Sequence, residues 1–184
     1  MTDHDGLDKN PLVSLQELEA LHDQLYGWSL SRCGYDRAAA EDLMQQAYVE
    51  ILSGRAQFDN KSTLKTFMFG VVQMLAKSRF RKLGSMLRLV NAVKANEVSP
   101  VLVSPVNDDE RSRAVWAAVQ ALPARQRDIT ELVFCREMTI EDAASVMGVS
   151  TGSGRVHYER AKKALAITLS ALRSEIDETG EHCA

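Results

Sequence analysis

The sequence predicts an all-α protein, built as two small helical domains joined by a flexible linker, with the second domain a helix-turn-helix. Three observations predict it. Apolar residues recur every three or four positions through residues 14–82 and again through 111–172, the spacing that lines one face of a helix. Between them the periodicity fades into Ser99, Pro100, Ser104, Pro105 and the acidic cluster Asp108, Asp109, Glu110, a composition that suits a tether. Thr139, Gly148 and Ser150 then fall where a helix start, a sharp stop and a second start belong. The expected boundaries are 12–83 for the first domain, 84–110 for the linker and 111–174 for the second domain.

Residues 1–11 are polar and expected to fray. From Ser14 onward, Leu15, Leu18, Leu21, Leu25 and Trp28 form one apolar stripe, and Gly34 supplies a stop. A second helix spans about 37–52, with Ala40, Leu43, Met44, Ala47, Tyr48 and Ile51 inward. Asp42, Gln45, Gln46 and Val49 make a separate stripe on its other side. Residues 53–62, with Gly54, Asp59 and Asn60, read as a loop. The third helix, about 63–82, turns Leu64, Phe67, Met68, Val71, Val72 and Leu75 inward and Lys65, Lys77 and Arg81 outward. Arg79 and Lys82 lie nearer the stripe and have to snorkel. Residues 86–93 could extend this helix. Two supporting helices follow at 111–121 and 124–135, one carrying Val115, Ala118 and Val119 and the other Ile129, Leu132 and Val133, with Pro123 at the break.

A chain of 184 residues suits one or two small domains. Its net charge of −3 conceals two opposite regions. Residues 1–60 hold eleven acids against four bases, whereas residues 61–94 hold eight bases and no acid. Local potential governs attraction to nucleic acid, so a formally acidic chain can still bind DNA along that strip. Cys33, Cys135 and Cys183 are widely spaced, so neither a disulfide framework nor a zinc site is indicated, and the first two are expected to be buried. His182 and Cys183 cannot complete a metal site by themselves. No apolar run approaches a membrane span and no signal-peptide pattern opens the chain, so a cytoplasmic protein without membrane insertion is expected. No Gly-rich phosphate loop and no paired metal-ligand spacing supports an enzyme, and no cofactor or metal is implied.

In the C-terminal third, Thr139 is the expected cap of a helix whose Ile140, Ala143, Ala144 and Met147 form a buried stripe. Gly148 ends it and Ser150 caps the next helix. At about 100° per residue, Tyr158, Ala161, Leu165, Leu169 and Leu172 share one side of that second helix, with Ser153, Val156, Arg160 and Lys163 opposite. The second set has the chemistry to enter a major groove, where Arg and Lys meet guanine edges or phosphates and a methyl group meets thymine. Arg155 and Lys162 are better placed for phosphates, and His157 sits at the other margin. A solvated basic face is the plainer alternative. The Thr, Gly and Ser punctuation favours DNA.

LPARQRD followed by TIEDAASVMGVSTGSGRVHYERAKKAL resembles region 4 of bacterial sigma factors, particularly the extracytoplasmic-function (ECF) class. The resemblance implies a module that reads the minus-thirty-five promoter element through Ser153, Arg155, His157 and Arg160. Gly154 departs from the pattern, which usually has a bulky aliphatic residue there. Either the two helices approach closely at that point, or the recognition helix starts later.

AAEDLMQQAYVEI similarly resembles sigma region 2.2, whose family role is docking on the clamp-helix coiled coil of the RNA polymerase largest subunit. That implies polymerase contacts by Asp42, Gln45 and Gln46, with Val49 in the same stripe. The loop after it resembles the segment that captures an unstacked minus-ten base, which makes Phe58, Asn60 and Lys61 candidates, with core packing the alternative for Phe58. The third helix resembles regions 2.3 and 2.4, which implies that Lys65, Lys77 and Arg81 hold the backbone of melted promoter. Met74 and Ser78 stand where the family often has Asn and Asp, so promoter preference does not carry over. The linker's family counterpart threads toward the polymerase active centre and RNA exit path. Together these resemblances imply an alternative sigma factor with core RNA polymerase, promoter DNA and an anti-sigma factor as partners. The competing expectation is a stand-alone helix-turn-helix transcriptional regulator, which would need a dimer interface and a ligand pocket.

Overall fold

The computed structural model describes residues 13–90 and 110–180, with side chains for 13–83 and 113–171. The described residues form helices and connecting turns, with no strand among them. The chain divides into two compact units, 1–103 and 104–184, and the division falls inside the segment expected to be linker.

In the first unit Ser14 opens α1 (Leu15–Ala20) with a reciprocal cap. The Glu17 amide donates to Ser14 Oγ, and the Ser14 amide donates to the Glu17 carboxylate. One continuous helix was expected here, but the chain breaks at Leu21 and resumes as α2 (His22–Arg32). Leu18 of α1 is buried, whereas Leu15 is 71% exposed. The apolar stripe therefore buries only Leu18, Leu25 and Trp28. Gly34 and Tyr35 both take left-handed backbone after α2, and the Asp36 carboxylate caps α3 (Arg37–Leu52) by accepting from the Ala39 amide.

Helices α2, α3 and α4 (Leu64–Val90) pack on one another. Leu25, Trp28, Leu43, Ile51, Met68, Phe69 and Val72 form the centre of this core. Trp28 stacks on Phe69 and donates its indole N–H to the Phe69 carbonyl at 3.3 Å, satisfying the one polar group of a fully buried ring. The segment around 86–90 does extend α4, so helix continues seven residues past the expected linker start at 84.

In the second unit α5 (Glu110–Gln120) and α6 (Ala124–Thr130) flank Pro123 as expected. Arg127 of α6 donates to the Gln120 carbonyl at 3.0 Å, tying the two helix ends. Directly after α6 comes a π-helical turn, Glu131–Cys135. Its wider winding changes the rotation per residue. As a result Leu132 is buried while Phe134 and Cys135 are exposed, which corrects the expectation of a buried Cys135. Cys33 is half-buried. Helices α7 (Ile140–Met147) and α8 (Thr151–Gly180) complete the unit, with α5, α6 and α7 all packed on α8.

Candidate nucleic-acid and polymerase interfaces

The helix-turn-helix is fixed by local chemistry at every joint. Thr139 Oγ1 accepts from the Asp142 amide at 3.1 Å and donates to the Asp142 carboxylate at 2.6 Å, so the first turn of α7 is closed by one side-chain pair. Gly148 takes φ +67, and the amides of Gly148 and Val149 donate back to Ser145 and Ala144. Arg125 of α6 donates to the Met147 carbonyl at 3.3 Å, satisfying an acceptor at the end of α7. Ser150 Oγ accepts from the Ser153 amide at 3.2 Å and starts α8 at Thr151.

That start settles the position of Gly154. It lies inside α8, buried, where a β-carbon would sit 2.8 Å from Ala144 Cβ. The two helices approach too closely for a larger residue. This seats α8 tightly on α7 and leaves Ser153, Val156, Arg160 and Lys163 exposed on its far side, with His157 half-buried. Val156, Arg160 and Lys163 share one exposed face of α8 with Arg155 and Glu159.

Two acids of this surface were not singled out from sequence. Glu141 of α7 pairs with Arg155 at 3.1 Å, both side chains about two-thirds exposed. Glu159 lies on the same exposed face and pairs with Lys162 at 3.5 Å. Glu159 was legible, since it lies one helical turn from both Arg155 and Val156. Glu141 is fourteen residues from Arg155, and no helical period joins positions across a turn. Lys162 also lies over the Tyr158 ring, at 5.4 Å from its centroid. Ser150 Oγ donates to Ser153 Oγ at 2.9 Å, so the Ser153 hydroxyl accepts from the cap residue and keeps its own proton to donate.

On the first unit, Asp42, Gln45, Gln46 and Val49 are all exposed along one side of α3. Val49 is 54% exposed, an apolar side chain left half open to solvent. Arg79 of α4 does reach inward, donating to the Ala39 carbonyl at 3.1 Å and to Gln46 Oε1 at 3.3 Å.

In the loop before α4, Asn60 is exposed and takes φ +59. Asp59 accepts from both the Lys61 amide and the Lys61 ammonium. These hydrogen bonds hold the Asp59 carboxyl below its ordinary value and raise Lys61. Phe58 is buried, its ring 5.2 Å from that of Phe67. Packing against Phe67, the alternative expected for this residue, accounts for its burial. Lys77 and Arg81 are exposed one turn apart on α4, whereas Lys65 is half-buried, about 18 Å back along the helix axis from Lys77 at 1.5 Å per residue. The structure thus groups Lys77 with Arg81 and leaves Lys65 with the loop end.

No group of three or more potential metal-ligating side chains occurs among the described residues. Burial is the largest influence on both Cys33 and Cys135 and pushes their thiols up. At Cys135, exposed as a residue, the neighbouring Glu131 carboxylate adds to the rise.

Comparison with known proteins agrees with this geometry. Residues 18–86 match the family model of sigma-70 region 2, and residues 112–165 match that of sigma-70 region 4. The chain is 23% identical over 147 residues to the ECF RNA polymerase sigma factor SigX of Bacillus subtilis, covering 77% of this chain and 76% of the relative. It is 26% identical over 167 residues to the ECF RNA polymerase sigma factor EcfG of Rhodopseudomonas palustris, covering 90% of this chain and 86% of the relative. Its fold is similar to that of the sigma factor RpoE, solved in complex with the anti-sigma factor NepR from Bartonella quintana. That match has a TM-score of 0.67 at 24% identity and covers 84% of this chain and 95% of the other. With both sigma-70 regions matched in order, and full-length ECF factors as relatives, the chain belongs to the sigma-70 family of RNA polymerase sigma factors, in its ECF class.

Proposed function

We propose a division of labour for this alternative sigma factor, which directs promoter-specific transcription initiation by core RNA polymerase. Asp42, Gln45, Gln46 and Val49 on α3 dock on the polymerase. Asn60 and Lys61 meet the unpaired minus-ten bases, and Lys65, Lys77 and Arg81 hold the backbone of the opened strand. On α8, Val156, Arg160 and Lys163 read the minus-thirty-five element, flanked by His157 and by Arg155 on phosphate. Ser153, exposed at the start of α8 with its hydroxyl proton free of the cap, joins them, and Phe58 packs on Phe67 beneath the loop residues Asn60 and Lys61. The expected domain limits, 12–83 and 111–174, suit this assignment, with the first extended along α4.

The observation that carries the proposal is the exposed basic face of α8, with Arg155, Val156, Arg160 and Lys163, on a tightly closed helix-turn-helix. Such a helix presents Arg and Lys where base edges and phosphates lie in a major groove. The family is one of non-catalytic initiation factors, and this chain leaves the chemistry to polymerase. No described helix is long and apolar enough to cross a membrane, in keeping with action in the cytoplasm. The anti-sigma partner of the RpoE relative suggests the same mode of control here, by a protein that masks these surfaces.

Run-off transcription from a genomic promoter library, with core polymerase from the same organism, tests the proposal. Discrete start sites that depend on this protein and share paired upstream and downstream elements are expected. DNA binding without polymerase, and no new transcripts, would instead establish a stand-alone regulator. Asp42→Ala and Gln45→Ala are expected to weaken polymerase binding and leave start-site choice unchanged. Normal polymerase affinity in both variants would remove the docking assignment.

A further inference from the structure

Gln46, in the exposed α3 stripe, is held by a side chain of another helix. Its Oε1 accepts from Arg79 Nη2 at 3.3 Å, while Arg79 Nη1 donates to the Ala39 carbonyl at 3.1 Å. Ala39 and Gln46 are seven residues apart, two turns along the same side of α3. The helix carbonyl points toward the C-terminus and the side chain leans back toward the N-terminus, so a single planar guanidinium spans the gap. One nitrogen is anchored to backbone, which fixes the position of the other.

A guanidinium has donors and no acceptor. The amide atom facing it is therefore the oxygen, and the Gln46 NH2 group is the part left to face solvent. We infer that Arg79 is a positioning residue for polymerase docking: it fixes the Gln46 amide so that an N–H donor faces outward, and the polymerase group that Gln46 meets is a hydrogen-bond acceptor, a carboxylate or a carbonyl. The inference rests on the docking role of the α3 stripe. It gives Arg79, in a helix otherwise concerned with DNA, a task on the polymerase side.

The test is the affinity of the full chain for core polymerase in the absence of DNA, so that any contact of Arg79 with promoter does not enter. Gln46→Ala, Arg79→Met and the double variant complete a cycle with the unaltered chain. Each single change is expected to weaken binding about three- to ten-fold, the worth of one interfacial hydrogen bond, and the double variant is expected to be no weaker than either single one. Gln46→Glu keeps an oxygen for Arg79 and replaces the outward donor with an acceptor, so it is expected to lose at least as much as Gln46→Ala. Being an exposed substitution, it tests the donor orientation by itself, and Arg79→Lys, which keeps a charge and a single donor but cannot span both acceptors, tests the positioning role should Arg79→Met disturb folding.

Unchanged affinity in Gln46→Ala would remove Gln46 from the docking surface, a failure of the underlying assignment. Weakened binding in Gln46→Ala with normal binding in Arg79→Met, or fully additive losses, would overturn the positioning role alone. Binding by Gln46→Glu as tight as that of the unaltered chain would overturn the donor orientation.

Discussion

Gly154 and Ala144 approach so closely that a β-carbon on the glycine would lie 2.8 Å from the Ala144 Cβ. Alanine is favoured over glycine inside a helix by about 1 kcal/mol, whereas forcing extra atoms into a packed contact costs about 1–3 kcal/mol. The neighbour is a rigid methyl group on α7 and has no rotamer to escape into. The contact outweighs the propensity, so Gly154→Ala is expected to destabilise the second unit by about 1 kcal/mol and Gly154→Val by more. Ala144→Gly should relieve Gly154→Ala in part. Hydrogen exchange of the amides of α7 and the first turns of α8 reads this directly, and slower exchange in Gly154→Ala would show that the helices separate freely.

Arg160 lies on the exposed face of α8, one turn from both Val156 and Lys163. A guanidinium paired with a guanine edge contributes about 1–3 kcal/mol of discrimination, whereas a phosphate contact weakens all sequences alike. Arg160→Ala is expected to relax preference at one position of the upstream element, while Lys163→Ala lowers the salt dependence of promoter binding with little change in preference. Footprinting on a set of single-base promoter variants separates the two. An Arg160→Ala protein with the original base preferences would mean that α8 enters the groove by another face.

The same residues show what a sequence reveals and what it withholds. The caps at Thr139 and Ser150, the stop at Gly148 and the exposed α3 stripe follow from local spacing, because each depends on atoms within one helical turn. Gly154 looked anomalous for the reason that makes it informative: its partner Ala144 is on another helix. Leu15, Cys135 and Phe69 were misjudged or passed over because periodicity assumes one unbroken helix with one buried side. The break at Leu21 and the π-helical turn at Glu131–Cys135 violate that assumption, and Phe69 packs toward Trp28 beside the stripe that spacing assigned to α4. Pairs such as Arg79 with Gln46 and Glu141 with Arg155 join different helices, and no pattern within one helix contains them.

Cys33 and Cys135 both have thiols pushed above the ordinary cysteine range, first by burial. Thiolate, the reactive form, is correspondingly scarce at neutral pH. Both residues are expected to alkylate more slowly than a cysteine in an unfolded peptide at pH 7, with the difference abolished in denaturant. Peptide-resolved mass spectrometry after a timed iodoacetamide pulse measures each site separately. Faster labelling at Cys135 than in the unfolded chain would reveal an activated thiol.

Asp59 holds the loop ahead of α4 by accepting from the Lys61 amide and ammonium, and those hydrogen bonds depress its carboxyl. A group whose folded value lies below its unfolded one contributes stability that is present above the unfolded value and lost as pH falls through the folded one. The loop grip is therefore intact at neutral pH and is expected to weaken only in acid below the ordinary aspartate range. Because both side chains are exposed, salt screens the pair and its effect is local. Asp59→Asn is expected to loosen Lys61 and the left-handed Asn60 at neutral pH, lowering affinity for a single-stranded minus-ten oligonucleotide bound with polymerase while leaving the fold intact. An NMR titration of the Asp59 carboxyl and the Lys61 amide checks the first part. A carboxyl that titrates at or above the ordinary aspartate value would show that Asp59 does not hold the loop, and unchanged oligonucleotide affinity in Asp59→Asn would show that loop shape does not matter for strand capture.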